Sequence, residues 1–180
     1  ELLTQSREVL QGRKALPSVY PHQIAFNALP HIEPFLDSGY TREETKMRDE
    51  TRKIMHAPEL AVSATCVRVP VMVGHSGAIH IEFTRPVSAS NVREVLAAAP
   101  GVAVLDDPVS NAYPMPIEAE GKDAVFVGRI RDDLSNPNGV AMWVVSDNLR
   151  KGAALNSIQI AEELVSRNCL KPKSKSALPR

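Results

Sequence analysis

The sequence lacks the features that mark several specialised classes of protein. Only two of its 180 residues are cysteines, Cys66 and Cys169, and no metal-ligand spacing relates them. We therefore expect a reducing compartment, no disulfide framework and no metal site. Lys plus Arg number 21 and Asp plus Glu number 21, a balance that points to neither a nucleic-acid nor an anionic-membrane partner. No apolar run approaches the roughly 20 residues of a membrane helix.

Two further absences concern the N-terminus and nucleotide binding. Residues 1–20 carry charges throughout and have no apolar central stretch, so they do not form a signal peptide pattern. Glu1 stands where a Met would begin a protein, and we expect the chain to start inside a larger one. No GxGxxG motif follows a predicted strand, so the chain has no dinucleotide-binding fingerprint. We expect a cytoplasmic protein, with a plastid as the alternative.

The residues that are present predict a single α+β domain over residues 1–170 and a solvated tail, rich in Lys, Pro and Ser, over residues 171–180. The order of elements indicates a mixed, largely antiparallel sheet covered by helices on one face, and not a doubly wound fold. Apolar periodicity predicts helices at 2–11, 42–56, 91–98 and 152–166, and strands at 61–73, 79–83, 102–105, 124–131 and 140–146.

Local signals refine three of these elements. Thr41 and Glu44 have the spacing of a capping box, which predicts that the second helix starts at Arg42. Ser90 is the expected cap of the third helix. The alternation of apolar and polar residues over 79–83 predicts a half-buried strand.

Four side chains are candidates for chemistry. Glu43 and Lys46 share a helix face, either as an exposed ion pair or as a holder of a zwitterionic substrate. Arg68 interrupts an apolar strand: it faces water, pairs with a structural acid, or binds a carboxylate through two hydrogen bonds. His75 lies in a glycine-containing turn and is either a plain exposed residue or a general base.

Cys66 lies near His75 in sequence but has no predicted helix N-terminus beside it, and we expect a small core residue there rather than a nucleophile. Arg68 and His75 would face opposite sides of an unbroken strand, because their numbers differ by an odd count. The chain must kink if the two side chains are to converge, and Pro70 and Gly74 are the candidates for that kink.

Five long stretches resemble aspartate-semialdehyde dehydrogenases, in the same order along the chain. They cover nearly the whole sequence before the tail, and the stretch at 63–76 contains an Arg and a His seven residues apart, as that family has. The stretches are SATCVRVPVMVGHS (63–76), IAFNALPHIE (24–33), EETKMRDETRKIM (43–55), YPMPIEAEGKDAVFVGRIRDD (113–133) and WVVSDNLRKGAALNSIQIAEEL (143–164).

The resemblance implies a substrate-binding and dimerisation domain with the fold of the glyceraldehyde-3-phosphate-dehydrogenase-like C-terminal domain. The family reduces L-aspartyl-4-phosphate with NADPH to L-aspartate 4-semialdehyde and phosphate, a step in the biosynthesis of lysine, threonine and methionine. By resemblance, His75 is the acid/base catalyst, Arg68 binds the substrate carboxylate, Glu43 binds its amino group and Lys46 binds phosphate. Asn148 matches a position that contacts NADP, where many relatives carry Gln.

The chain also departs from the family pattern. Neither cysteine matches the Asn-Cys-Thr-like context of the family's nucleophile, so we expect this chain alone to be inactive. The HSGAIHIEF region (75–83) and the last strands resemble the part that pairs two subunits, which implies a homodimer. Two alternatives are a non-catalytic dimerisation module and an N-acetyl-glutamyl-phosphate reductase. Glu43 argues against the second, because an N-acetylated substrate has no ammonium group.

Overall fold

The computed structural model describes residues 1–170, and the chain divides into two compact units, Glu1–Met72 and Val73–Arg180. The predicted single domain over residues 1–170 stays a prediction, and the predicted tail lies outside the described residues. The α+β class is confirmed. The first unit contains helices α1 (Leu2–Leu10) and α2 (Arg42–Ile54); the second contains, in order, β1 (His75–Glu82), α3 (Ala89–Ala97), β2 (Val102–Val104), α4 (Pro116–Ala119), β3 (Val125–Asp132), β4 (Gly139–Ser146), a π-helical turn (Arg150–Ala154) and α5 (Leu155–Ser166).

The capping box at the start of α2 is confirmed. The Glu44 backbone N–H donates to Thr41 Oγ1 at 3.3 Å, and the Thr41 N–H donates to Glu44 Oε2 at 2.8 Å. The second carboxylate oxygen of Glu44 accepts the Cys66 N–H at 2.9 Å. These backbone hydrogen bonds lower the pKa of Glu44. One buried carboxylate therefore caps the helix and also holds the segment that carries Arg68.

Two side chains of the first helical region hold the proline-rich stretch after α1: the Glu1 carboxylate, which accepts N–H groups of residues 18–20, and the buried amide of Gln5. Its Oε1 accepts the backbone N–H groups of Ile24 and Ala25, at 2.9 and 3.2 Å, and its Nε2 donates to Leu16 O at 3.3 Å. These contacts supply the loop with hydrogen bonds that it cannot make to itself, because prolines remove several of its donors.

The strand predicted over residues 61–73 is wrong. The backbone is extended there, and Val62, Ala64, Cys66 and Arg68 are half-buried in alternation, but Arg68 forms only an isolated antiparallel bridge with Leu29. The residue after Leu29 is a proline, which has no N–H to continue a ladder. The β-branched pattern was thus correct for an extended chain, while the partner needed for a strand is absent from the residues described.

The second unit contains a four-stranded sheet in the order β1-β4-β3-β2. Strands β1 and β3 run antiparallel to β4, and β2 runs parallel to β3, which confirms a mixed, largely antiparallel sheet. The β1–β4 ladder extends from the His75–Ser146 pair to the Glu82–Gly139 pair. Strand β1 therefore begins at His75, where the sequence pattern predicts a turn.

Helix α3 covers one face of this sheet. Its side chains Val92 and Leu96 pack against a buried cluster formed by Val127, Ile130, Val140 and Met142. The predicted start of this helix is wrong by two residues, since Ser88 and not Ser90 is its N-cap. The Asn91 N–H donates to Ser88 Oγ at 3.2 Å.

Two other predictions need correction, and one element was not predicted. Ile79 and Ile81 are 39% and 36% exposed, not half-buried, because β1 is an edge strand with one neighbour. The helix predicted at 152–166 begins as a π-helical turn, and its α-helical part starts at Leu155. The short helix α4 was not predicted at all.

Within the described residues, no helix combines the length and apolarity that crossing a membrane requires.

Gly128 provides a test of this packing, because a Cβ built there would lie 2.1 Å from Leu105 O and 2.6 Å from Pro114 Cδ. We expect Gly128→Ala to lower the free energy of unfolding by about 2 kcal/mol or more, since backbone has to move to relieve the overlap. Urea denaturation measures the change. Gly77→Ala in β1 is the matched control, because its Cβ would meet only the Ile79 side chain at 3.7 Å. Equal effects of the two substitutions would contradict the packing described.

Candidate functional site

Glu43 and Lys46 form an ion pair on α2. Lys46 Nζ lies 3.3 Å from Glu43 Oε2, and their side chains are 51% and 23% exposed, respectively. The hydrogen bond and the charge of Glu43 raise the pKa of Lys46. An ammonium group has three donors, so Lys46 can keep Glu43 and still bind an anion. The geometry of the pair is thus compatible both with an exposed structural ion pair and with a site that binds a zwitterionic substrate.

Arg68 is held at its backbone and stacked at its side chain. It exchanges two backbone hydrogen bonds with Leu29, at 2.8 and 2.9 Å. Its guanidinium carbon lies 5.0 Å from the centroid of the Tyr20 ring. Arg68 forms no ion pair with any other residue in the range 1–170. A half-buried, oriented guanidinium without an acidic partner in the described part of the chain has a geometry suited to binding a carboxylate.

Cys66 is half-buried, less than a core residue would be. Burial is the main cause that raises the pKa of its thiol, the charges of Glu44 and Glu43 raise it further, and Lys46 lowers it. The charges of Glu43 and Lys46 thus act at Cys66. Arg68 lies two residues after Cys66 in the extended segment, so the side chains of both residues point to its half-buried side. Glu43 and Lys46 therefore lie close enough to Cys66 for their charges to act on it, and the net effect disfavours a thiolate there.

His75 is the first residue of β1, where it pairs with Ser146, and it is exposed. Its imidazole makes no hydrogen bond to any residue from 1 to 170. The preceding Gly74 has a φ of +98°, a conformation that L side chains rarely adopt. The chain thus changes direction at Gly74, one of the two positions expected to kink.

Asp147, which no sequence signal singled out above, holds the end of β4. Its carboxylate accepts the backbone N–H groups of Gly121, Leu149 and Arg150, at 2.8, 2.8 and 3.1 Å. These hydrogen bonds lower the pKa of Asp147, and the bond from Gly121 has the largest effect. An Asp shortly before a helical pattern is a capping signal, and it could have identified this residue.

Asn148 follows Asp147 and is half-buried. Its Oδ1 accepts the backbone N–H of Gly74 at 3.1 Å. The second unit therefore brings Asn148 next to the residue that precedes His75. Within the described residues, no group of three or more His, Cys, Asp or Glu side chains could hold a metal ion.

Comparison with known proteins gives a consistent result. A family model described as semialdehyde dehydrogenase, dimerisation domain, matches residues 1–151. Aspartate-semialdehyde dehydrogenase from Aquifex aeolicus is 55% identical over 172 residues, which is 94% of this chain and 50% of the relative. The Bacillus subtilis protein of the same name is 51% identical over 176 residues, which is 93% of this chain and 51% of the relative.

Solved structures agree. The crystal structure of aspartate semialdehyde dehydrogenase II complexed with ASA from Vibrio cholerae has a TM-score of 0.87 and 44% identity, covering 92% of this chain and 48% of that one. The aspartate semialdehyde dehydrogenase from Candida albicans, solved with NADP, has a TM-score of 0.67 and 31% identity, covering 84% and 48%. This chain thus spans about half the length of the relatives it matches.

The three hydrogen bonds to Asp147 predict a pH-dependent contribution to stability. Because folding lowers the pKa of Asp147, the contribution is fully present above the pKa of an unfolded Asp, about 3.9, and is lost as pH falls through the lower folded value. We expect Asp147→Asn to lower the free energy of unfolding at pH 7, because its amide group has one acceptor oxygen where the carboxylate has two. The difference in unfolding free energy between this variant and the unsubstituted protein, the stability deficit, should shrink below about pH 4.

Urea denaturation at pH 7, 5 and 3 measures this deficit. The control is Asp123→Asn, which removes only an exposed ion pair with Arg150 and should change little. A deficit that stays constant down to pH 3 would show that the charge of Asp147 does not stabilise the fold.

Proposed function

Since the chain belongs to the semialdehyde dehydrogenase, dimerisation domain, family, we propose that it is the substrate-binding and dimerisation part of an NADP-dependent aspartate-semialdehyde dehydrogenase. The complete enzyme reduces L-aspartyl-4-phosphate with NADPH to L-aspartate 4-semialdehyde and phosphate. The observation that carries this proposal is the state of Arg68, whose half-buried guanidinium stacks on Tyr20 and forms no ion pair with any residue from 1 to 170.

The charges of the substrate match the groups of the first unit. Arg68 binds the α-carboxylate, because its planar fork can donate two parallel hydrogen bonds. Glu43 binds the ammonium group, and Lys46 binds the phosphate. The existing Glu43–Lys46 pair, at 3.3 Å, holds the two oppositely charged groups next to each other. Attachment at three points would place the reacting carbon with the small tolerance that covalent catalysis needs.

His75 acts as the acid/base group in this proposal. Its exposed imidazole has no hydrogen bond within the described residues, so both ring nitrogens can exchange protons with a reactant. The nucleophile is a cysteine outside this chain. Cys66 does not take that role, since burial and neighbouring acids raise the pKa of its thiol and keep it protonated.

NADP is the cofactor, bound mainly outside this chain, with Asn148 as the contact from within it. A related structure solved with NADP supports this choice. The assignment of Asn148 to the cofactor comes from the family resemblance. The location of Asn148 supports it, because its side chain lies next to the backbone that leads to His75. We keep the cytoplasm as the expected compartment.

A homodimer is the proposed assembly, with β1 contributing to the interface. The description of the family model supports pairing of subunits. Strand β1 is an edge strand, and its Ile79 and Ile81 are more than a third exposed. An exposed apolar edge strand is normally covered, because it would otherwise pair at random with other chains.

The activity of the complete enzyme tests the proposed function. We expect it to oxidise NADPH with L-aspartyl-4-phosphate, whereas this chain alone should not. Arg68→Lys should raise KM for the acyl phosphate about 10- to 100-fold, because a charge-assisted hydrogen bond contributes about 1.5–3 kcal/mol. Arg42→Lys, at an exposed position of α2, is the matched control.

Cys66→Ser should leave the activity of the complete enzyme unchanged. Turnover by this chain alone that disappears in the Cys66→Ser variant would identify Cys66 as the nucleophile and overturn the proposal. Preference for N-acetyl-glutamyl phosphate would assign the enzyme to the sister reductase. No turnover of either acyl phosphate by a folded dimer would indicate a non-catalytic module.

The mass of the chain in solution tests the proposed dimer. Sedimentation equilibrium should give about twice the 19.6 kDa of one chain. Ile81→Lys should weaken the dimer, because pairing would then bury a charge without a partner. Val95→Lys is the control, since Val95 is 70% exposed on α3 and lies outside the proposed interface. A monomer at all concentrations would contradict the proposed assembly.

A further inference from the structure

Strand β1 needs a fixed starting point, because His75 is its first residue. The β1–β4 ladder begins at the His75–Ser146 pair, so no ladder hydrogen bond holds the residue before it. The hydrogen bond from the Gly74 N–H to Asn148 Oδ1 takes the place of a further backbone hydrogen bond between the strands. It joins residues 74 positions apart, and so fixes the entry to β1 against the far end of β4.

The backbone at Gly74 leaves little room for an alternative path. Its φ is +98°, and a Cβ built there would lie 3.4 Å from both Pro116 Cβ and Ser146 O. The chain must pass Pro116 closely and then turn into the strand. The direction of the His75 side chain depends on this turn, because successive side chains of a strand alternate about its backbone.

Asn148 is itself held by a rigid frame. The buried Asp147 carboxylate accepts the N–H groups of Leu149 and Arg150, and its backbone oxygen accepts the Lys151 N–H at 2.9 Å. The chain around Asn148 is thereby closed into a tight turn that leads into the π-helical segment. A side chain mounted on such a turn has a defined position before any ligand arrives.

The orientation of the Asn148 amide is settled by its partner. The Gly74 N–H can only donate, so the atom that faces it must be the amide oxygen. The amide nitrogen has no hydrogen-bond partner among residues 1–170. The same side chain can therefore hold Gly74 on one side and donate to a ligand acceptor on the other.

We propose that Asn148 is a positioning residue that fixes the direction of the His75 side chain through the backbone of Gly74. This role rests on the proposed function, because it matters for catalysis only if His75 transfers protons. It is separate from the cofactor contact expected of Asn148: the amide oxygen performs the positioning, and the amide nitrogen is left for the cofactor.

Two substitutions separate these roles. Asn148→Asp keeps an acceptor oxygen for the Gly74 N–H and removes the NH2 donor, whereas Asn148→Ala removes both. In the complete enzyme, Asn148→Ala should lower kcat about 10- to 100-fold at saturating NADPH, because a small displacement of a reacting group has an effect of this size. Asn148→Asp should lower kcat less than Asn148→Ala does and should raise KM for NADPH. Asn156→Ala, at a half-buried position of α5, is the control.

A second readout does not depend on activity. In NMR spectra of the complete enzyme, exchange of the Gly74 amide proton with solvent should be roughly tenfold faster or more in Asn148→Ala. Asn148→Asp should preserve its protection. The His75 imidazole signals should shift in the Ala variant alone, while signals of β3 and α3 stay in place and show that the fold is intact.

The outcomes are distinct. Unchanged Gly74 protection and His75 signals in Asn148→Ala would overturn the proposal, as would an equal loss of kcat in the Asp and Ala variants with Gly74 still protected in Asp. An unsubstituted enzyme without turnover would refute the proposed function, and the NMR comparison would still decide whether Asn148 positions His75.

Discussion

The buried carboxylate of Asp147 is the contact on which the candidate catalytic end of the second unit depends. It accepts three backbone N–H groups, from Gly121 in the loop after α4 and from the two residues Leu149 and Arg150 beyond β4. Strand β4 ends at Ser146, and no ladder hydrogen bonds continue past it. Without the carboxylate these N–H groups would lose the partner that ties the three residues together, and water would have to bind them instead. Asp147 thus gives an irregular segment the fixed geometry that a strand would otherwise supply.

The first unit solves a similar problem with Glu44. Its carboxylate caps α2 through the Thr41 N–H and holds the extended segment through the Cys66 N–H. The segment could not form a strand, since its bridge partner Leu29 is followed by a proline. A carboxylate with two oxygens can serve two separate pieces of backbone at once. In both units, therefore, an acid that accepts backbone N–H groups lies beside a candidate site residue: Glu44 next to Glu43, and Asp147 next to Asn148.

The sequence predicts the elements well where the pattern is local, and less well where a partner is needed. Thr41 and Glu44 identify the start of α2, because the signal and the contact lie within four residues. The strand at 61–73 fails because β-branched composition predicts an extended chain but cannot supply a neighbour. The candidate residues follow the same rule. Glu43 and Lys46 are paired as their spacing predicts, whereas the hydrogen bond between Gly74 and Asn148 spans too much sequence for any local pattern. The family resemblance identifies Asn148 as a candidate residue, whereas the backbone group that its side chain contacts is known only from the structure.

The electrostatics of the first unit favour binding over nucleophilic chemistry. A thiolate at Cys66 would need a net positive environment to form near neutral pH. Burial and the charges of Glu44 and Glu43 oppose it, and Lys46, whose charge favours it, is itself paired with Glu43. Arg68 is different, because its charge does not depend on its surroundings and it forms no ion pair with the described residues. The groups around this segment can therefore attract and orient a ligand that carries both signs of charge. Burial and the two acids oppose activation of the thiol that lies among them, so in the proposed function the covalent step belongs to a cysteine in a different electrostatic environment.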